Sequence, residues 1–272
     1  MRIALVGEEE YDIFVRLKEH IEADYIPISE IGLSTINSKS RIDRNAKGLA
    51  GYDAVFLQVD ARLMLFVEPL LDELADNGIS CQVKPTAFNI IANKPYTFVS
   101  LASRGIPIPK MRSVASGSGI EGAVEGLEFP ILIEAYRDLD RTQTMILTDQ
   151  KSLYPFLRSI PFQYNLIMIQ ELLQEPLIES LVIADEVFSM RHAWNEERLE
   201  HVQKAQSIKM SSELRQIAID ATKALGIDIA RVKMIAEKII SVDPIIEAER
   251  FEKVLGIDVA KEIAKYFEVK TA

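Results

Sequence analysis

The first third of the chain alternates two hydrophobic periods, and this alternation limits the fold more than any other feature. "RIALVG" (residues 2–7), "YDAVFLQV" (52–59) and "ISCQV" (79–83) are short apolar runs suited to buried strands. Between them, "EYDIFVRLKEHIE" (10–22) and "LFVEPLLDELADNG" (65–78) repeat apolar residues at three- and four-residue spacing, as amphipathic helices do. A helix between two strands returns the chain to the same end of a sheet, so the strands lie parallel. The expectation is an open α/β layer, in a chain of 272 residues that forms one large or two modest domains.

Folds of this kind often place phosphate at the turn after the first strand, where glycines let it approach a helix N-terminus. Here Gly7 is followed by Glu8, Glu9 and Glu10. Three carboxylates suit a helix dipole and repel a phosphate, so they read as capping charge. "GSGIEG" (117–122) has G-x-G-x-x-G spacing but lacks the preceding strand and the later acid that would bind a ribose, and it reads as a flexible loop. "SKSRIDRNAKG" (38–48) reads as a solvated basic loop.

Charge and composition narrow the function classes. With 31 Lys and Arg against 41 Asp and Glu, the net charge of -10 disfavours nucleic acid as a partner. Runs such as "AVFLQV" and "NLIMIQELL" fall far short of the roughly 20 residues of a membrane span, and "MRIALVG" lacks a signal peptide's apolar region and cleavage site. A cytoplasmic protein without membrane partners is expected. Cys81, the one cysteine, reads as a buried strand thiol. His192 and His201 lie nine apart without a third ligand at metal spacing and read as structural, and Trp194 reads as packing.

From residue 93 a series of motifs accumulates. "NKPYTFVSLASRGIPIPK" (93–110) starts a helix with a lysine and ends in a glycine and a Pro-x-Pro step. It is followed by "LEFPILIE" (127–134), "LIMIQELL" (166–173), "SLVIADEVFSM" (180–190), "AIDATKALGIDIARVKMI" (218–235), "KIISVDP" (238–244) and "FEKVLGIDVAKEIAKYF" (251–267). In this order they resemble the ATP-grasp carboxylate-amine ligases, in particular the RimK and LysX-like branch, over nearly the whole chain. The resemblance implies an ATP-grasp α/β fold of three parts: an N-terminal open α/β (pre-ATP-grasp) domain at 1–92, a small lid region at 93–163 and a C-terminal α+β domain at 164–272. It also implies a reaction in which ATP phosphorylates a carboxylate and an amine attacks the acyl phosphate.

That chemistry gathers negative charge, which lysines, arginine and magnesium must meet. On the resemblance, Lys94 is the first nucleotide lysine, with an ordinary helix-start lysine as its other reading, and Gln170 and Glu171 mark the linker whose backbone reads adenine. Other positions depart from the pattern. Glu134 stands where the lid strand carries a phosphate lysine, and a carboxylate there reverses an attraction of about 4 kcal/mol at about 4 Å for an effective dielectric near 20. The segment after it, "AYRDLDRTQTMI" (135–146), offers bulky and charged residues in place of a glycine-containing phosphate loop. Lys233 and Ser241 replace two acids of the magnesium site, leaving Asp243 as the one carboxylate. Ser180 replaces the arginine after the hinge, with Glu179 beside it, and Arg191 reads either as a surface salt-bridge residue or as a candidate substrate or phosphate arginine. The expected protein has a nucleotide-type cleft with ATP as its ligand and magnesium disfavoured, and it serves as a binding, regulatory or partner component. The alternative is an active amino-acid ligase with rearranged residues. A small molecule, a partner protein or a second copy of the chain remain as partners.

Overall fold

The computed structural model describes the chain apart from residues 37–38, 45–48, 50, 116–118, 138–139, 154, 156–163, 165 and 272. The N-terminal alternation folds as expected. Strands β1 (Arg2–Gly7), β2 (Glu22–Pro27), β5 (Ala54–Gln58) and β6 (Ser80–Cys81) form one sheet in the order β2-β1-β5-β6, every pairing parallel. Side-chain alternation sends Ile3 and Leu5 of β1 to one face and Ala4 and Val6 to the other, all fully buried, so both faces need cover. Helix α1 (Asp12–Leu17) covers the first face together with the C-terminal helix of the chain, and α2 (Met64–Asp76) and α3 (Pro85–Ala92) cover the second.

Two local expectations change here. Glu8, Glu9 and Glu10 do not cap α1, whose N-cap Tyr11 makes no side-chain capping bond. Glu8 instead accepts the backbone N–H of Asp60 at 3.1 Å and Glu10 pairs with Lys18. Gly7 serves close packing, since a Cβ there would lie 2.9 Å from Phe14 and 3.1 Å from the Gln58 carbonyl. The basic segment is also more than a loop: β4 (Lys39–Arg44) pairs antiparallel with β3 (Ile31–Ile36). Of "GSGIEG", residues 117 and 118 lie outside the described residues, and the remainder leads into the short helix α5 (Ile120–Val124).

The middle of the chain opens with α4 (Lys94–Ala102), capped by the Asn93 side chain, which accepts the Tyr96 N–H at 3.2 Å. Strands β7 (Met111–Val114), β8 (Ile131–Arg137), β9 (Asp140–Leu147) and β10 (Leu166–Glu171) then form an antiparallel sheet in the order β7-β10-β8-β9. Strand β10, on the C-terminal side of residue 163, is an inner strand of this sheet, which the family resemblance identifies with the lid. "AYRDLDRTQTMI" folds as the β8–β9 hairpin, with residues 138 and 139 outside the described residues. Ile131, Ile133 and Ala135 face α5, so period-two alternation turns Leu132 and Glu134 to the opposite face.

The last part is an antiparallel sheet in the order β13-β12-β11-β14-β15, built from β11 (Leu177–Ile183), β12 (Glu186–Asn195), β13 (Glu200–Ile208), β14 (Ile229–Ile235) and β15 (Lys238–Asp243). Helix α6 (Ser212–Leu225) packs on one face. Helices α7 (Ala248–Leu255) and α8 (Val259–Lys270) join part of the other face to the N-terminal sheet, and Phe267 meets Phe56 with ring centroids 5.9 Å apart. Burying each such ring contributes about 2–3 kcal/mol. Buried Gln58 fixes the segment after β15, donating to the Pro244 carbonyl at 2.9 Å and accepting the Ile246 N–H at 3.0 Å. No helix among the described residues is long and apolar enough to cross a membrane.

Candidate functional site

A cavity of about 770 Å³ lies between the free face of the lid sheet and the free face of the C-terminal sheet. Leu132, Glu134, Thr144 and Gln170 line it from the lid, Lys94 and Phe98 from α4, and Arg231, Lys233, Ser241 and Asp243 from β14 and β15. Glu171, Leu172 and Leu173 line it where the chain passes from lid to C-terminal sheet. Most of the residues singled out from sequence therefore meet in one place.

On the lid side, Lys94 and Glu134 pair with each other. Glu134 is 2% exposed and also accepts from the Tyr136 hydroxyl at 3.3 Å. Lys94 occupies the first turn of α4, where the helix dipole opposes a cation, and the carboxylate offsets that opposition. At the hinge, Glu171 pairs with Lys238 and accepts the Lys110 N–H at 2.8 Å. Burial works against its charge, but these two contacts prevail and hold the carboxyl below its ordinary value. Gln170 is 5% exposed.

The C-terminal sheet contributes a second, larger network. Asp243 receives Arg231 at 2.7 Å on one oxygen and the Ile245 N–H at 2.9 Å on the other. Arg231 also pairs with Glu247. Beneath them Glu179, fully buried, faces Arg250 at 2.9 Å, His192 at 3.2 Å, Arg231 at 3.8 Å and Lys233 at 4.0 Å. Burial, and with it the charges of Arg231 and Arg250, outweighs the attraction of Glu179 and lowers the Lys233 pKa. Strand register places Lys233 opposite Ser241 on one side and Glu179 on the other.

Ser180 and Arg191 are not part of this wall. Ser180 turns to the α6 side, where its hydroxyl lies 2.8 Å from that of Ser189 and 3.4 Å from the Met210 sulfur. Because strand neighbours alternate, the cleft-side residue of the pair is Glu179. Arg191 is exposed, between buried Met190 and His192, which face the other way. His192 is more deeply placed than a surface residue, at 2% exposure, with Nδ1 3.0 Å from the Val202 carbonyl. Trp194 and His201 both line the cavity and meet edge to face, ring centroids 4.9 Å apart.

Sequence reasoning passed over Arg231, Lys238, Glu247 and Arg250. For Arg231 a signal was present: it lies two residues before Lys233 on a strand, hence on the same face. Glu247 and Arg250 reach the network from the turn before α7 and from α7 itself, which no local pattern in β11, β14 or β15 discloses.

Comparison with known proteins agrees with this architecture. The model of the RimK-like ATP-grasp domain matches residues 92–267. A protein of Haemophilus influenzae named "Probable alpha-L-glutamate ligase" is 27% identical over 236 residues, 81% of this chain and 77% of that protein. Among solved structures, the ATP-grasp ligase PsnB, complexed with a phosphomimetic variant of its minimal precursor, Mg and ADP, superposes with a TM-score of 0.75 at 16% identity, covering 99% of this chain and 98% of that one. The D-alanine–D-alanine ligase of Bacillus anthracis gives 0.66 at 16% identity, covering 98% and 96%. These structural likenesses establish the fold, with its parallel and antiparallel sheets, as ATP-grasp. With its family match spanning well over half of its length, the chain belongs to the RimK-like ATP-grasp family.

Proposed function

We propose that this protein uses the ATP-grasp cleft to bind a ligand, as a binding, regulatory or partner component in the cytoplasm, without efficient magnesium-dependent ligation. The observation that carries the reading is that three cations in or beside the cleft are already paired. Lys94 is engaged by Glu134, Lys238 by Glu171, and Arg231 by Asp243 and Glu247. Charges that neutralise one another in a partly desolvated cavity leave a polyphosphate little net attraction, and replacing an existing partner costs its desolvation again.

Magnesium, which the family implies, does not fit the residues present. It takes oxygen ligands in near-octahedral geometry. Of the three positions that the family resemblance assigns to it, Lys233 brings a positive charge, Ser241 a neutral hydroxyl, and Asp243 a carboxylate whose two oxygens already accept from Arg231 and Ile245. Among the described residues no group of three or more His, Cys, Asp and Glu is arranged to hold a metal ion. A nucleotide base remains compatible with the cleft, because the backbone of residues 170–173 can read adenine whatever the side chains are.

The naming of relatives as probable alpha-L-glutamate ligases supports a second reading, a carboxylate-amine ligase acting on an amino acid or peptide with rearranged residues. Titration calorimetry of ATP with and without magnesium, paired with an ATP-hydrolysis assay in the presence of glutamate, separates the two. The first reading expects no turnover and no magnesium enhancement; turnover favours the second.

A further inference from the structure

The lysines of the cleft are not equivalent. Lys94 and Lys238 each touch a carboxylate, whereas the carboxylate oxygen recorded nearest to Lys233 is Glu179 Oε1 at 4.0 Å, beyond hydrogen-bond reach. Glu179 is itself shared with Arg250, Arg231 and His192. No hydrogen bond from the Lys233 ammonium is made to any described residue, although its side chain is 31% exposed and lines the cavity. A half-buried ammonium that lines a cavity without an acceptor calls for a negatively charged ligand.

We propose that Lys233 is a fixed cation in place of a metal ion, and that this wall of the cleft takes a compact oxyanion, a nucleotide phosphate or an amino-acid carboxylate, without any divalent ion. The proposal deepens the reading given above and rests on the cleft being a ligand site. The acids nearest to Lys233 are held by other cations, Asp243 and Glu247 by Arg231 and Glu179 by Arg250, so none of them occupies the ammonium at hydrogen-bond distance. His201, on β13 of the same sheet, is held toward its neutral form by burial, against the Glu175 carbonyl and with His192 and Lys233. An ammonium also differs from magnesium in needing no fixed coordination geometry, so the ligand is gripped as a point charge and not through chelation.

The chain has one tryptophan, Trp194, on the cavity wall, so its intrinsic fluorescence reports occupancy. Wild-type protein in EDTA is titrated with pyrophosphate, ADP, L-glutamate and, as an uncharged control, adenosine. The expected result is saturable binding of at least one anion, weakened at least tenfold by Lys233→Met, largely retained by Lys233→Arg, and changed less than about threefold by millimolar magnesium on wild type. A response to pyrophosphate and ADP alone identifies a phosphate site, and a response to glutamate alone a carboxylate site. Adenosine binding stays equal in all variants, and a urea midpoint confirms folding. Absence of anion binding in EDTA, equal affinity of Lys233→Met and wild type, or a tenfold gain with magnesium each overturns the proposal. ATP turnover, by contrast, would overturn the binding-component reading and leave the Lys233 comparison to decide this one.

Discussion

Lys94 and Glu134, forty residues apart, pair across the lid side of the cleft, joining the first turn of α4 to the middle of β8. The carboxylate thus sits where it neutralises the one lysine that the family resemblance assigns to a nucleotide and that this chain retains. The same relationship repeats at Arg231 and Asp243, so these two cations of the cleft are already engaged by its own side chains.

Glu134→Gln releases Lys94 while keeping the shape of the lid strand. ATP affinity is expected to rise at least fivefold and adenosine affinity to stay constant, both by calorimetry. The variant loses a hydrogen bond to a charged partner, so stability is expected to fall by about 1.5–3 kcal/mol in urea unfolding. Equal changes for both ligands would mean that the carboxylate does not act on phosphate.

Neighbours on β11 should behave oppositely. Glu179→Gln removes the buried carboxylate that Arg250, His192, Arg231 and Lys233 face and is expected to cost about 3–5 kcal/mol. Ser180→Ala removes a hydroxyl contact on the α6 side, costing about 0.5–1.5 kcal/mol, and leaves ligand binding unchanged. Urea titrations of the two variants check the order, and a larger loss for Ser180→Ala would contradict the face assignment.

These two residues also mark what a sequence can disclose. The family motifs located the strand, but a slip of one residue moves a side chain to the other face, and only the pairing of β11 with β12 and β14 settles which residue reaches the cleft. Parallel strands such as "RIALVG" were legible because both faces are buried. "KSRIDR" and "EHVQKAQSI" were not, since β4 and β13 are polar strands, β13 lying at a sheet edge, without a strong period-two signal. The residues of the cleft were legible singly; their pairings were not, because the partners are far apart in the chain.

Anion binding at Lys233 should depend on pH in a defined direction. Its folded pKa is lowered, chiefly by burial, against Glu179 and with Arg231 and Arg250. Binding is therefore full below that folded value and weakens as pH rises through it, by about tenfold per unit thereafter, at a pH below the ordinary lysine range. The same shift means that the unfolded chain holds the proton more tightly, so the Lys233 contribution to stability rises with pH between the folded and unfolded values. Glu247, Asp243, Ser241 and His201 share the surroundings, so Lys233→Met is the reference: subtracting its pH profile isolates the lysine.

Cys81, expected to be buried, is half-buried on the short strand β6; desolvation pushes its thiol up to about 12, and it donates to Gln82 Oε1 at 3.2 Å. Native protein at pH 8 is expected to react with iodoacetamide at least tenfold more slowly than urea-unfolded protein, because the thiolate is the nucleophile. Equal rates would show an accessible, ionised thiol.

The central claim is that this cleft does not depend on magnesium. Its most direct test is calorimetric titration of wild-type protein with ATP in EDTA and in millimolar magnesium. The account predicts dissociation constants, where binding is measurable, that differ by less than about threefold, or about 0.7 kcal/mol; a tenfold or greater tightening on adding magnesium would contradict it.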